Sequence, residues 1–162
     1  MALEGTFYKS TSHGAAAADA IGGSVDTGAP LTGGLHEIFP AATSDFLGGS
    51  DYDRFQKVHW QNTGASTITS VRAFFQDVKY TDHLKMALQQ NSGDTGATFN
   101  AMPAGYSTGD FETAVGLLNA IGDKDVETLD DFAIWVWQQI PPGLEDADPA
   151  VPLNIRVAGV TA

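Results

Sequence analysis

The chain has no cysteine and few basic residues, and each shortage excludes a class of protein. Without cysteine, no disulfide contributes to the fold. Eight Lys and Arg stand against twenty Asp and Glu, so the formal net charge is −12. A protein that binds nucleic acid directly presents a basic stripe to the phosphates, and an anionic membrane surface attracts the same kind of patch. We therefore expect neither nucleic acid nor membrane as a partner.

Long apolar runs and charged residues are also scarce. No run approaches the about 20 apolar residues of a membrane-spanning helix. No basic segment followed by an apolar one marks a secretory signal at the N-terminus. Charged residues make up 17% of the chain, against about 25% in typical soluble domains. Such a surface suits a protein covered by neighbours, and we expect self-association, with a trimer at a symmetry axis as the expected form.

Catalytic and metal-binding motifs are missing as well. The sequence contains no nucleophile elbow, no P-loop and no Rossmann fingerprint, and its four histidines lack metal-ligand spacing. The pairs Asp51 and Asp53, and Glu145 and Asp148, offer carboxylates for calcium, but neither matches an EF-hand loop. Solvated turns are the better interpretation. We therefore predict a protein that is not an enzyme and that uses no cofactor and no metal.

Strand patterns dominate what is present. Alternation between Val151 and Val157, and a β-branched and aromatic run from Phe132 to Trp137, predict a closing β-hairpin. Further strands are predicted at 35–40, 52–61, 67–78, 84–89 and 97–102, with a short helix as the alternative at 84–89. Apolar spacings of three and four from Phe111 to Ile121 predict one short helical insertion. Together these features predict an all-β fold, an immunoglobulin-like antiparallel β-sandwich.

The first 34 residues differ from the rest of the chain. They are rich in Gly and Ala and short of large apolar side chains after Phe7 and Tyr8. Such a segment buries too little apolar surface to offset its ordering entropy alone. We predict an extended or flexible N-terminal arm over 1–34 and a sandwich domain over 35–162. A disordered tail is the alternative, but Phe7 and Tyr8 favour an arm that binds a partner.

Two tryptophans near the C-terminus are the other candidate partner-binding residues. Trp135 and Trp137 share one face of their predicted strand, while Phe132, Ile134 and Val136 share the other. Because large exposed apolar patches are rare on monomers, both faces of this strand need a cover. We expect one face to lie in the core and the other to meet another subunit or the N-terminal arm.

Three pieces of the chain resemble a family of small structural proteins of tailed bacteriophages and prophages. They are the start Phe7–Thr11 followed by Gly22-Gly23, the stretch from Leu35 through Arg54–Asn62, and Ile140–Leu144 followed by acids and Val151–Val157. Residues 103–130 carry none of the family's motifs. The resemblance implies an immunoglobulin-like sandwich, a structural role in the virion and no catalytic residues.

The resemblance favours a capsid decoration or cement protein that binds and stabilises the capsid lattice. It implies the major capsid protein or other virion proteins as partners, and a place on the capsid surface after assembly in the host cytoplasm. A tail or baseplate component is the close alternative. From another class, a carbohydrate-binding module for host attachment uses exposed aromatic rings, for which Trp60, Tyr106 and Trp137 are the candidates.

Overall fold

The computed structural model describes residues 3–14, 19–32, 38–39, 52–76, 83–91, 93–140 and 154–162. The strands are β1 (Gly5–Ser12), β2 (Ile21–Pro30), β3 (Tyr52–Asn62), β4 (Ile68–Gln76), β5 (Leu84–Leu88), β6 (Thr95–Gly96), β7 (Ile121–Val126), β8 (Asp131–Ile140) and β9 (Asn154–Thr161). They form a six-stranded sheet, ordered β5-β8-β3-β1-β2-β6, and a three-stranded sheet, ordered β7-β4-β9. The strand pairings are antiparallel. The predicted all-β, antiparallel fold is confirmed.

Strands β3 and β8 form the centre of the large sheet. They pair without a register shift from Tyr52 opposite Ile140 to Gln61 opposite Asp131. Both are rich in the β-branched and aromatic residues that favour pleated, packed surfaces. Nearly all of their side chains are buried, which agrees with strands covered on both faces. The predicted strands at 52–61 and 132–137 are therefore confirmed.

The two sheets share one hydrophobic core. From β4 it receives Val71, Ala73 and Phe75, which alternate along the strand as the sequence predicts and are completely buried. Phe132 of β8 faces them across Gly122, whose φ of 108° and lack of a side chain leave room for the Phe132 ring. The strand predicted at 84–89 is also confirmed, as β5, so its helical alternative is wrong.

Residues 111–116 join the two sheets instead of forming a helix. Glu112 exchanges main-chain hydrogen bonds of 2.9 Å with Met86 of β5, and the Phe75 amide donates to the Ala114 carbonyl at 2.7 Å. The predicted helical insertion is therefore wrong. Only single 3-10 turns occur here, at Thr108–Asp110 and Leu117–Asn119, and Leu118 is fully exposed. Main-chain groups that neighbouring strands have bound are not free to close a helix.

The predicted closing hairpin is also wrong, although both of its strands exist. β8 lies between β5 and β3 in the large sheet, whereas β9 pairs with β4 in the small sheet. The connection over 141–153 lies outside the described residues. Alternation specifies that a segment is a strand and which face is buried, but it does not specify the partner strand. The weak strand predicted at 97–102 is a series of bends and turns, and only Thr95–Gly96 pairs nearby.

The described part of residues 1–34 belongs to the large sheet. β1 pairs with β3 from Gly5 opposite Asn62 to Lys9 opposite Val58, and β2 pairs with β1 and β6. The described part of this segment therefore differs from the predicted arm. Main-chain hydrogen bonds to neighbouring strands hold it in place, rather than apolar side chains of its own. The strand predicted at 35–40 lies mostly outside the described residues, but Ile38 and Phe39 are buried in the core. Among the described elements, no helix has the length and apolarity needed to cross a membrane.

Candidate functional site

Trp135 and Trp137 lie inside the protein. They are 0% and 5% exposed, on the face of β8 opposite Phe132, Ile134 and Val136. The Tyr106 ring packs edge-on against Trp135 with centroids 6.0 Å apart, and the Phe111 ring packs against Trp137 at 5.5 Å. The second face of the large sheet is therefore covered by the chain's own residues 106–111. Neither tryptophan is presented to a partner in this structure.

Phe7 and Tyr8 are half-buried neighbours on β1 that point to opposite faces of the sheet. Phe7 lies opposite Trp60 and packs against the core, while Tyr8 lies opposite His59 on the second face. Both side chains thus belong to the large sheet. The rings considered for sugar stacking do not form an exposed platform either, because Trp60 and Trp137 are buried and Tyr106 is half-buried.

Polar side chains from distant parts of the sequence meet on this second face. We call them the buried polar cluster; its members are Lys57, His59, Asp94, Tyr106 and Asp131. Lys57 and His59 alternate with apolar residues on β3, and both are almost completely buried. Asp131 begins β8, while Asp94 and Tyr106 come from the segments on either side of β6. The cluster therefore joins the centre of the sheet to the chain that covers it.

Lys57 is a buried base held by main-chain oxygens. Its ammonium donates to the Gly23 carbonyl at 3.0 Å and to the Asp94 carbonyl at 3.4 Å, and it lies 5.9 Å from the centroid of the Trp135 ring. Burial lowers the pKa of Lys57, although the charges of Asp94 and Asp131 oppose that change. Its bonds connect β3 to the bulged start of β2.

His59 and Asp131 form a short hydrogen bond between β3 and β8. Nδ1 of His59 lies 2.6 Å from Oδ2 of Asp131. Because an ionised carboxylate only accepts hydrogen bonds, Nδ1 carries the proton and donates it. The hydrogen bond from His59 lowers the pKa of Asp131 despite the partial burial of the carboxylate. Nε2 of His59 is buried and has no hydrogen-bond partner among the residues that the structure describes.

Tyr106 and Asp94 form the outer part of the cluster. The Tyr106 hydroxyl lies 2.6 Å from Oδ2 of Asp94, which also accepts hydrogen bonds from the amides of Gln90 and Asn91. Burial raises the pKa of Tyr106, and the neighbouring carboxylate raises it further. Burial alone raises the pKa of Asp94, but the hydrogen bonds from Tyr106, Asn91 and Gln90 outweigh it and the pKa is lowered.

The cluster's bonds are directed inward, to main chain and to its own members. Ser10, the nearby buried hydroxyl, lies 3.0 Å from the Lys57 carbonyl and 3.1 Å from that of Ser12. The arrangement fixes strands and covering loops to one another. One signal for it was present in the sequence, since Lys57 and His59 lie two residues apart, on the same face of a predicted strand.

The carboxylates considered for calcium are not gathered into a site by the described residues. Asp53 accepts a 2.8 Å hydrogen bond from the indole of Trp137. Asp51 and the acids at 145–148 lie outside the described residues. Within the described ranges, no group of three or more His, Asp or Glu side chains is placed to hold a metal ion.

The exposed apolar residues lie on turns and at the end of an edge strand. Leu117, Leu118 and Leu129 occupy turns and are 56%, 100% and 69% exposed, and Val160 near the end of β9 is 64% exposed. Two open grooves lie on the surface. One, of about 210 Å³, lies between Leu3 and Ile68; the other, of about 360 Å³, is lined by residues that include Leu88, Asp110, Glu112 and Ala120.

Comparisons of the chain with protein families, with curated proteins and with solved structures found no match.

Proposed function

We propose that the chain is a structural protein of a tailed-phage virion, most specifically a capsid decoration protein that binds and stabilises the capsid lattice. The observation that carries the proposal is that some apolar residues of the protein are buried while others are exposed. The aromatic residues of the second face are packed inside, whereas leucines are exposed on turns. Exposed leucines on a firmly packed body suit a protein that works by contact with neighbours.

The fold and composition add support. We assign the two sheets to an immunoglobulin-like sandwich, since they are antiparallel and share one core. The three sequence pieces that resemble phage structural proteins agree with that assignment. The surface carries few charges for its size, as expected where much of it is covered after assembly. We propose the major capsid protein as partner and a trimer as the assembled form.

Particle analysis tests the proposal. Phage particles from the host that carries this gene are purified, their proteins are identified by mass spectrometry, and the chain is located by cryo-electron microscopy. We expect the chain at repeated sites on the outer capsid, and capsids that lack it to break at lower temperature. Its absence from purified particles contradicts a virion role, while density confined to the tail supports the alternative of a tail or baseplate component.

A further inference from the structure

The turn at Leu117–Asn119 presents two leucines to solvent in a defined conformation. Leu118 is 100% exposed and Leu117 is 56% exposed. Gly116 precedes them with a φ of 74°, and the Asn119 side-chain amide donates to the Val115 carbonyl at 3.0 Å. Val115 is in turn bridged to Phe75 of β4. The turn is therefore fixed to the core, and its apolar tip costs little entropy to bind.

An acidic groove lies directly beside this tip. It has a volume of about 360 Å³ and is lined by Ala120 and Ile121, which follow the turn, and by Leu88, Asp110 and Glu112. Asp110 accepts hydrogen bonds from the Ser107 hydroxyl and amide, which lower its pKa. It is therefore charged at neutral pH. Leu88, at 37% exposed, continues the apolar surface across the groove.

Charge decides between the possible occupants of the groove. A second copy of this chain offers eight Lys and Arg against twenty Asp and Glu, so most of the charges that it brings to this groove are repelled by the same carboxylates. An anionic lipid surface is repelled in the same way. A protein segment that alternates Lys or Arg with large apolar residues complements both the leucines and the carboxylates.

We propose that the Leu117–Leu118 tip and the adjoining groove form a docking surface for a basic, apolar segment of another protein. The inference deepens the proposed function by naming the chemistry of the partner's contact. The docking surface is tested on the isolated chain. A negative result there is therefore distinguishable from a negative result in the particle analysis, which tests the proposed function.

A peptide titration tests the docking surface. The capped peptide GKLLKG and its acidic counterpart GELLEG are added to the isotope-labelled chain, and backbone NMR shifts are followed. We expect GKLLKG to move the resonances of 110–122 with a dissociation constant of about 0.1–1 mM, and GELLEG to bind at least about tenfold more weakly.

Variants of the chain test which side chains form the docking surface. We expect GKLLKG binding to weaken at least about fivefold in Leu118→Ser, and likewise in the double variant Asp110→Asn with Glu112→Gln. Leu129→Ser, which alters an exposed leucine on another turn, is the matched control and is expected to bind normally.

Any one of four results overturns the inference. Equal binding of both peptides, or shifts outside 110–122 only, removes the role of the acidic groove. Self-association that Leu118→Ser abolishes, measured by sedimentation, assigns the tip to a second copy instead. Binding to phosphatidylcholine vesicles that Leu118→Ser abolishes assigns it to a lipid surface. Because Leu118 is fully exposed, its replacement leaves the fold intact, which the unchanged spectrum of the rest of the chain verifies.

Discussion

At the scale of single residues, the buried polar cluster places charged side chains in a part of the protein that is almost closed to water. Lys57 and His59 lose contact with water, and the hydrogen bonds and charges around them replace part of that solvation. Buried hydrogen bonds of this kind contribute modest net stability when intact, but removal of one partner is costly because the other stays buried and unsatisfied. The contact between His59 and Asp131 is the one whose pH dependence is easiest to test.

Replacement of Asp131 by Asn is expected to destabilise the protein at neutral pH and to matter less in acid. The folded-state pKa of Asp131 lies below its unfolded value of about 3.9, so the stabilisation is present above that pH. It is lost as the pH falls through the folded-state pKa. We expect Asp131→Asn to lower the free energy of unfolding by about 1–2 kcal/mol at pH 7, because a charge-assisted hydrogen bond becomes a neutral one. Urea unfolding of both proteins at pH 7 and near pH 3 measures the difference.

The control for this experiment is Asp123→Asn, which alters an exposed acid on β7. Its effect at pH 7 is expected to stay within about 0.5 kcal/mol, as for most surface substitutions. An equal loss of stability in the two variants, or a loss for Asp131→Asn that does not shrink in acid, contradicts the assigned contact.

At the scale of strands, the sequence identified segments better than it identified neighbours. The strands at 52–61, 67–78, 84–89 and 132–137 were predictable, because alternation and β-branched residues act locally. The pairing of β9 with β4 was not, since it depends on a contact between residues far apart in the chain. The helix predicted at 111–121 failed for the same reason, because the strands that bind its main chain are distant in sequence.

An engineered disulfide tests the pairing of β4 with β9. Thr69 lies opposite Val160 in this register, and the Thr69 hydroxyl donates to the Val160 carbonyl at 3.1 Å. Opposed residues in antiparallel strands have Cα atoms about 4.5–5.5 Å apart, within the range that a disulfide spans. Since the chain has no cysteine, Thr69→Cys with Val160→Cys introduces the only two thiols. We expect them to oxidise to one intramolecular bond, seen as loss of alkylation in a mass spectrum.

Thr69→Cys with Thr161→Cys is the matched control for the register. Thr161 lies opposite Ile68, and adjacent strand residues point to opposite faces, so this pair is expected to stay reduced. Oxidation of the control pair but not of the Val160 pair, or of neither pair, contradicts the β4–β9 register.

At the scale of the whole molecule, the strand patterns predicted the all-β class but not how the candidate site is built. The two tryptophans were recognised as needing a cover, and that inference followed from the apolar character of both strand faces. The source of the cover was not predictable, because Tyr106 and Phe111 lie in a segment without strand alternation. Strands β1 and β2 were not predicted, because the composition of the N-terminal segment does not show what β3 supplies, an unpaired edge and the Trp60 ring.

Removal of residues 1–30 is therefore expected to abolish folding rather than to leave an intact domain. The deletion takes away β1 and β2, exposes the edge of β3 and uncovers Trp60. In the full chain, Phe7→Ala is expected to cost about 1–3 kcal/mol, because the half-buried ring packs against the core. Thermal unfolding followed by circular dichroism measures both variants in the absence of any partner. If the truncated chain unfolds cooperatively at the midpoint of the full chain, residues 1–30 act as a separate arm and not as two strands of the sheet.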